Sequence, residues 1–531
     1  MKSIFFPLAI LIMIGSIVSC NKTLKTAPIS FAAPAANYAT EAQLLQALAG
    51  VYDVLGLNRS QLYADNLFDK LGATTDEGFY ARATGSALSI SYNFDYTEPT
   101  IDGTWQTLFT GIERANNLIY YINTPVSMDP VERDAILGEA EFMRGYCYFL
   151  LVSNFGDVPM RLVPTTITGA TSNNVPRTPS KEVYAQILKD MTDAEAKCYP
   201  ATKFGYSSQV SQTTVQGILA RVCLTMAGQP LQDQTKYADA LKWATKVQQS
   251  GIHSLNPSYS QIFINEAQDV YDIKEAMWEA DFNGNDLSSY LETGRLGNTN
   301  GIAFTNGNFA DTGYCYGFIN ATKKLYNLYG AGDLRRDWAI APYGYSGTNR
   351  VNKGTLIYDR NCGKWRRSYE TLTPKGKNNT GINFPILRYS DVLLMLAEAD
   401  NQANSGPSAK AYDAINQVRR RGYGFPVNIP NLVSDLKPGL SLTQFQNSIQ
   451  DERARELCFE TQRRPDLIRW GIWTQTMSAL ATQITSDLGT NALKYAAIPA
   501  ANAASSPKFL LYPIPASEIT VNKAATQNAG Y

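Results

Sequence analysis

The apolar positions between residues 129 and 161 recur every three or four residues, which places them on one face of a helix. Asp129 is suited to cap the first amides and Pro130 to the first helical position. Gly156 and Pro159 are typical of a helix end. A second apolar flank consists of Phe142, Tyr146 and Phe149. A helix that is apolar on two sides is expected to pack between two neighbouring helices.

The same periodicity predicts further helices in both halves of the chain. They span residues 41–57, 105–122, 181–198, 213–228, 236–250, 390–402, 408–421 and 443–462. Successive helices of this kind predict a mostly α fold of tetratricopeptide-like helical hairpins. No strict repeat of about 34 residues is present, so a generic helical bundle stays open as the alternative.

Two stretches break the helical pattern. Residues 61–103 form a connection far longer than the usual length of about 4–6 residues, and such connections are commonly functional. Their aromatic content argues against disorder. Residues 271–385 are rich in glycine and aromatic residues, which predicts a loop-rich insertion with short strands between two helical halves.

The N-terminus has the features of a secretory lipoprotein signal. Lys2 precedes an apolar run over residues 4–14, and small residues lead to Cys20. We therefore predict a signal peptide over residues 1–19, acylation of Cys20, and a lipid-anchored tether over residues 20–37.

Composition excludes several classes of protein. The chain has 47 basic and 47 acidic residues, so it lacks the positive charge expected of a nucleic-acid-binding protein. Neither phosphate-binding nor dinucleotide-binding glycine motifs occur, and we expect no cofactor. Aromatic residues make up 11% of the chain, with 31 tyrosines, which favours a surface that binds amphipathic ligands.

Cysteine and histidine argue against a metal or nucleophilic site. No C-x-x-C occurs, and Cys147, Cys223 and Cys458 lie in apolar helical patterns typical of buried free thiols. His253 is the only histidine, which excludes a multi-histidine metal site. Its turn-like surroundings predict a solvated loop residue. We expect neither catalytic nor metal-binding residues.

Arginine and glutamate alternate densely over residues 452–469. A catalytic carboxylate pair is one interpretation of this segment. The near-equal numbers of the two charges at three- and four-residue spacing favour a structural ion-pair network between helices.

Five motifs occur in an order that resembles the SusD/RagB family of nutrient-uptake lipoproteins. They are EAEFMRGYCYFLLVSNFGDVPM at 139–160, RTPSKEVYAQILKDM at 177–191, PILRYSDVLLMLAEAD at 385–400, ERARELCFETQRRPDLIRWG at 452–471 and LYPIPASEITVNKAATQNAGY at 511–531. Three positions depart from the family pattern. Thr461 stands where Gly is usual, Pro465 where an aromatic residue is usual, and Ala529 where Pro is usual.

The resemblance implies a protein anchored in the outer membrane and facing the cell exterior. It implies non-catalytic binding of oligosaccharides or polysaccharides and their delivery to a SusC-like TonB-dependent transporter. It also implies an N-terminal helical region at residues 38–270 and a C-terminal region at 271–531. Peptide ligands are the first alternative, and a glycoside hydrolase is the second.

The two irregular stretches supply the candidate ligand contacts. Sugar rings offer apolar faces to aromatic side chains and hydroxyl groups to polar ones. The predicted contacts are Asp76, Arg82, Tyr92, Phe94, Trp278, Tyr290 and Tyr314. Trp105 is assigned instead to the core, because it continues an apolar helical face.

Overall fold

Helices make up most of the regular structure. The computed structural model describes residues 34–56, 61–83, 88–125, 127–165, 173–284, 293–307 and 309–531. The first helices are α1 Glu41–Tyr52, α2 Pro99–Tyr121, α3 Pro130–Phe155, α4 Ser180–Lys197, α5 Gln212–Ala227, α6 Lys236–Gln249 and α7 Tyr259–Gln268. Three short helices follow, α8 Phe309–Thr312, α9 Lys323–Leu328 and α10 Arg336–Ala339. The last are α11 Tyr389–Ala403, α12 Ala409–Gly422, α13 Leu442–Leu457, α14 Arg463–Arg469, α15 Trp473–Leu488, α16 Ala497–Ala504 and α17 Ala516–Val521.

Helix α3 begins and ends where its sequence predicts. The Asp129 carboxylate accepts a hydrogen bond from the Val131 amide at 2.8 Å. Gly156 follows the last turn with φ of +75°, which favours glycine. Both α2 and α4 pack against α3, and Arg144 donates to the two carboxylate oxygens of Asp190 on α4 at 2.8 and 2.7 Å. The prediction of a helix between two neighbours is confirmed.

The helices pack in sequence as antiparallel hairpins. α3 contacts α4, α4 contacts α5, and α5 contacts α6. The next extensive contact of α6 is with α11, which in turn packs against α12 and α13. The chain therefore leaves the helical stack after α6 and returns to it at residue 389. This confirms the mostly α, tetratricopeptide-like fold. No helix in the ranges that the structure describes is both long and apolar enough to cross a membrane.

The strands are short and pair in antiparallel twos. They are β1 Gly78–Tyr80, β2 Val158–Pro159, β3 Arg177–Thr178, β4 Ala276–Ala280, β5 Ile319–Ala321, β6 Tyr343–Ser346, β7 Asn349–Asn352 and β8 Phe384–Arg388. β4 pairs with β8, so the two ends of the insertion lie side by side in one two-stranded sheet. β5, β6 and β7 also lie in the insertion, as predicted, whereas β1, β2 and β3 lie outside it.

The described parts of the long segment 61–103, residues 61–83 and 88–103, are folded against the body rather than open. It contains short helical turns at Leu62–Ala64, Asn66–Leu71 and Leu88–Ser91, and many of its apolar side chains belong to the main core. β1 pairs with β5, with Gly78 opposite Ala321. The two stretches that the sequence presents as separate loops are therefore joined.

Some local predictions need correction. The helix predicted over 443–462 ends at Leu457, because Phe459 and Thr461 have positive φ values of 64° and 67°. Helices α7 to α10 and α14 to α17 lie where none was predicted. His253 is not solvated: it is 8% exposed, and its Nε2 lies 2.8 Å from Thr213 Oγ1. Burial lowers its pKa.

Buried ion pairs connect the insertion to the C-terminal helices, which confirms the network interpretation of residues 452–469. Arg388 of β8 donates to Glu456 at 2.9 Å and to Glu460 at 2.9 and 2.7 Å. Arg335 donates to Glu452 at 2.7 Å. Burial opposes ionisation of Glu452 and Glu456, but the surrounding arginines outweigh it and hold both pKa values far below their usual range. Both carboxylates are therefore ionised and serve a structural role in these ion pairs.

Candidate functional site

A row of aromatic rings follows the surface of the insertion. It consists of Phe304, Phe309, Tyr314, Tyr316, Phe318, Tyr343 and Tyr345, and we call it the aromatic row. The centroids of neighbouring rings lie between 4.8 and 5.8 Å apart. Phe304 and Phe318 are buried, and the other five rings are partly exposed.

One hairpin supplies most of the row. Phe304 and Cys315 exchange backbone hydrogen bonds at 2.8 and 3.0 Å, and α8 at the tip carries Phe309. Side chains at alternate positions of an extended segment share one side, which brings Tyr314 and Tyr316 together. Gly313 makes the turn with φ of +68°, where an added Cβ would lie 2.8 Å from the Cβ of Arg367.

The β6–β7 hairpin extends the row. Tyr343 and Tyr345 are two positions apart on β6, and the Tyr345 ring meets Phe304 with a centroid distance of 4.9 Å. Gly347 adopts φ of +58° in the turn between the strands. Two separate hairpins therefore contribute rings to one surface.

Cations lie over several of the rings. The Arg82 guanidinium is 4.2 Å from the centroid of Phe318, and the Lys377 ammonium is 5.0 Å from that of Tyr314. Arg350 lies 4.7 Å from the centroid of Tyr343. Arg82 reaches the row because β1 pairs with β5 and the amide that precedes it, that of Ala81, donates to the Phe318 carbonyl.

Hydrogen bonds fix the row from behind. The Tyr316 hydroxyl donates to Asn378 Oδ1 at 2.8 Å. Asn298 Nδ2 donates to the carbonyls of Tyr314 and Lys377 at 3.0 and 2.8 Å. Ring faces held in place beside amide and cationic groups suit a ligand with apolar faces and a polar rim.

Two family models match separate parts of the chain. Residues 35–224 match a family described as "Starch-binding associating with outer membrane", and residues 339–531 match the SusD family. The chain belongs to the SusD/RagB family. This confirms the resemblance found in the five motifs.

Several SusD-like relatives are similar over most of their length. SusD-like protein P25 of Formosa agariphila is 24% identical over 98% of this chain and 98% of its own. The starch-binding protein SusD of Bacteroides thetaiotaomicron is 23% identical over 78% of this chain and 76% of its own. The crystal structure of a SusD homolog from B. thetaiotaomicron has a TM-score of 0.82 at 27% identity, covering 92% of this chain and 97% of that one.

The predicted ligand contacts of this SusD/RagB chain separate into three groups. Arg82 and Tyr314 lie together at the aromatic row, since Tyr316 is 4.8 Å from Tyr314 and 6.0 Å from the Arg82 guanidinium. Their binding role stays a prediction. Tyr290 lies outside the described residues, as does Cys20.

Asp76 is buried and committed to ion pairs. It is 2% exposed, accepts from Arg463 at 2.7 and 2.8 Å, and lies 2.7 Å from the Lys324 ammonium. Burial opposes its ionisation, but these cations outweigh that effect and hold its pKa well below the usual range. Its assignment as a surface contact is corrected, because its oxygens already have internal partners.

Three predicted stacking rings also belong to the interior. Tyr92 and Phe94 are 3% and 4% exposed and pack against Phe509 at the C-terminal end of the chain. Trp278 is fully buried between Phe142 and Tyr146, at 5.2 and 4.7 Å. All three assignments are corrected on this ground. The assignment of Trp105 to the core is confirmed.

Most residues of the aromatic row were not among the predicted ligand contacts. The missed residues are Phe304, Phe309, Tyr316, Phe318, Tyr343 and Tyr345, with Lys377 and Arg350. The alternation of aromatic residues at 314, 316 and 318, and again at 343 and 345, is a local signal typical of exposed strand faces. The contact between the two hairpins, made by Phe304 and Tyr345, cannot be predicted from a local sequence pattern.

A cavity of about 360 Å³ lies between α1 and β4. Its lining includes Glu279 and Asp281. Burial raises the pKa of Glu279 to about 8 and also raises the pKa of Asp281. Ser207 donates to Glu279 at 2.9 Å. A carboxyl group protonated near neutral pH has the property needed of a general acid, so the hydrolase alternative would use this cavity.

The residues that the structure describes contain no group of three or more His, Cys, Asp or Glu side chains arranged to hold a metal ion. The thiols of Cys147, Cys223 and Cys458 are free and buried, as predicted.

Proposed function

We propose that this SusD/RagB chain is a non-catalytic, lipid-anchored outer-membrane protein. In this proposal it binds glycan along the aromatic row and delivers it to a SusC-like TonB-dependent transporter. The observation that carries the proposal is the row itself, in which five partly exposed rings and the buried Phe304 between them form a continuous series of ring contacts.

The relatives support a carbohydrate ligand. One matched family is described as starch-binding, and the B. thetaiotaomicron relative is named a starch-binding protein. The row offers what such ligands need: aromatic faces for the sugar rings, and the amide of Asn378 and the ammonium of Lys377 for the hydroxyl groups.

The direct test is a pair of ring deletions. Tyr314→Ala combined with Tyr316→Ala should weaken glycan binding by roughly 10- to 30-fold, since each stacking contact contributes on the order of 1 kcal/mol. The melting temperature should change little, because both rings are partly exposed. Binding is measured by a glycan array followed by calorimetry on the bound glycan.

Tyr120→Ala is the matched control, because this tyrosine is 51% exposed and lies on α2, outside the row. It should bind glycan as the wild type does. Unchanged affinity in the double variant would place the binding surface elsewhere. Binding of peptides and not glycans on a parallel peptide panel would favour the peptide alternative.

The anchor and the partner have separate tests. Cys20→Ala should release the protein from membranes into the soluble fraction. If this variant instead stays bound to membranes during a carbonate wash, lipid anchoring is contradicted. Extraction of the wild type in mild detergents should yield a complex with a TonB-dependent transporter. Recovery of a lone chain in several such detergents would count against that partnership.

The hydrolase alternative is tested at the α1–β4 cavity. Incubation of the wild type with its bound glycan should release no reducing ends. Release that disappears in Glu279→Gln would instead identify Glu279 as a catalytic acid and overturn the non-catalytic assignment.

A further inference from the structure

Five cations around the aromatic row have no carboxylate partner among the described residues. They are Arg82, Arg350, Arg366, Lys375 and Lys377. Arg366 donates to the carbonyls of Gly363 and Trp338 at 2.9 and 3.1 Å, and Lys375 donates to the carbonyls of Asp311 and Arg367 at 2.6 and 3.0 Å. The other three lie over aromatic rings. Rings and carbonyl groups orient these cations but do not neutralise them.

Neighbouring cations of the same region are neutralised. Each of four pairs lies within 3.1 Å: Lys324 with Asp76, Arg336 with Asp337, Lys353 with Asp359, and Arg367 with Glu370. The whole chain carries equal numbers of basic and acidic residues. Among the residues that the structure describes, the positive charge at the row is therefore a local excess on a chain with no net charge.

The excess is concentrated at two places along the row. Arg350 and Arg366 both approach the Tyr343 ring, with distances of 4.7 and 5.7 Å to its centroid. Arg82 and Lys377 lie over Phe318 and Tyr314. Asp311, the acidic residue next to Phe309 and Tyr314, is a nearby counter-charge, but its backbone carbonyl rather than its carboxylate accepts from Lys375.

Two like-charged guanidinium groups that share one ring repel each other, and an anion bound between them would offset this repulsion. Guanidinium and ammonium groups bind carboxylate and sulfate oxygens by charge-assisted hydrogen bonds, which neutral hydroxyl groups cannot match. A positive surface also attracts anionic ligands before contact.

We infer that the aromatic row binds an anionic glycan, a chain of sugars that carries carboxylate or sulfate groups. The rings hold the sugar faces, while Arg350 with Arg366 at one end and Arg82 with Lys377 at the other bind the acidic groups. The inference rests on the proposed glycan-binding function and narrows its ligand class.

The first test compares each acidic glycan with its neutralised form on one array. The probes are polygalacturonate and its carboxyl-reduced product, carrageenan and its desulfated product, and a set of neutral polysaccharides. We expect the protein to bind at least one acidic glycan and to lose this binding when the glycan is carboxyl-reduced or desulfated. Loss on carboxyl reduction indicates carboxylate recognition, and loss on desulfation indicates sulfate recognition. Binding should weaken in 0.5 M salt, where the Debye length falls to a few Å.

The second test removes charge and keeps the rings. Arg82→Gln, Lys377→Gln and Arg350→Gln should each weaken binding of that acidic glycan by about fivefold or more, as expected for a lost charged contact. Arg82→Lys, which keeps the charge, should lose less than Arg82→Gln. Lys437→Gln is the control, because this exposed lysine lies in the connection between α12 and α13.

The outcomes separate the inference from the proposed function. Binding to neutral glycans only, or equal binding after neutralisation, overturns the anionic ligand but keeps a glycan-binding protein. The anionic ligand is also overturned, and glycan binding kept, if the Tyr314→Ala, Tyr316→Ala variant loses affinity while the three charge variants bind as the wild type does. Absence of binding to every glycan on the array overturns both.

Discussion

At the scale of single residues, one strained backbone position coincides with a departure from the family's pattern. Thr461 adopts φ of +67° between α13 and α14, at the position where family members usually carry glycine. A β-branched residue in this conformation costs on the order of 1–3 kcal/mol, because its side chain crowds the backbone. The surrounding helices hold the turn in spite of this cost.

Thr461→Gly should therefore stabilise the protein by about 1 kcal/mol. Glycine removes the strain, and the gain is reduced by its greater freedom in the unfolded chain. The free energy of unfolding is measured by urea denaturation. Thr461→Ala is the control and should gain little, because alanine keeps a Cβ. A Thr461→Gly variant no more stable than Thr461→Ala would show that the turn is unstrained.

Residues also show what a sequence can and cannot predict about the site. The rings at 314, 316 and 318 share a face because of a two-residue period that is visible in the sequence. From the sequence, Asp76 is expected to be as exposed as these rings are. In the structure it pairs with Arg463, which lies 387 positions away along the chain. Tyr92 is buried in the same way, against Phe509 of the C-terminal segment, by which we mean residues 507–531. Such burial depends on long-range packing, for which a local pattern has no signal.

At the scale of elements, helix α3 carries a buried carboxyl group that responds to pH. Glu139 is 2% exposed and accepts from the Tyr52 hydroxyl of α1 at 2.6 Å and from Gln209 at 2.8 Å. Burial raises its pKa from 4.5 to about 7, although both hydrogen bonds favour the ionised form. The folded state is therefore most stable, relative to the unfolded state, when Glu139 is protonated.

The resulting pH dependence has a defined sign. The folded state holds the proton more tightly than the unfolded state, so this stabilisation is complete below about pH 4.5 and is lost as the pH rises to about 7. Glu139→Gln does not ionise, so relative to wild type it should be more stable at pH 8 than at pH 5, by roughly 1–3 kcal/mol. Urea denaturation at both pH values measures this.

Glu182→Gln serves as the control for Glu139→Gln, since Glu182 is an exposed residue of α4. It should change stability little at either pH. An equal effect of Glu139→Gln at pH 5 and pH 8 would mean that Glu139 does not change its ionisation on unfolding in this range.

Elements were predictable where their periodicity is long and their ends carry capping residues. Helix α3 has both, and its bounds agree with the sequence. Segment 61–103 has neither, because its short turns are held by contacts with the rest of the molecule. The same reason explains α7, whose ten residues give only a short amphipathic pattern.

At the scale of the whole molecule, parts that are distant along the chain are joined through a few buried polar groups. Arg335, Arg388 and Glu456 connect the insertion to α13. The C-terminal segment is held separately, at the end of α3. Arg177 of β3 donates to the Thr526 carbonyl at 3.0 Å and also to the side-chain oxygen of Asn528.

Asn528 completes this C-terminal attachment. Its amide nitrogen donates to the carbonyls of Phe155 and Tyr512 at 2.9 and 2.7 Å, and the residue is 9% exposed. Asn528→Ala should cost about 2–3 kcal/mol, because it removes these hydrogen bonds and leaves the carbonyls without a partner. Tyr512 and Tyr531 pack against Phe94, and Phe509 packs against Tyr92, so we expect loosening to spread to the segment around these two rings.

The readout must therefore be local. A chain of 531 residues need not unfold in one step, and hydrogen exchange reports the opening of each segment. In Asn528→Ala the amides of the C-terminal segment and of residues 88–98 should exchange faster, while those of α11 keep their protection. Lys523→Ala is the control, because this lysine is exposed on the same segment. Faster exchange confined to the last few residues would show that the C-terminal segment does not stabilise the region around Tyr92.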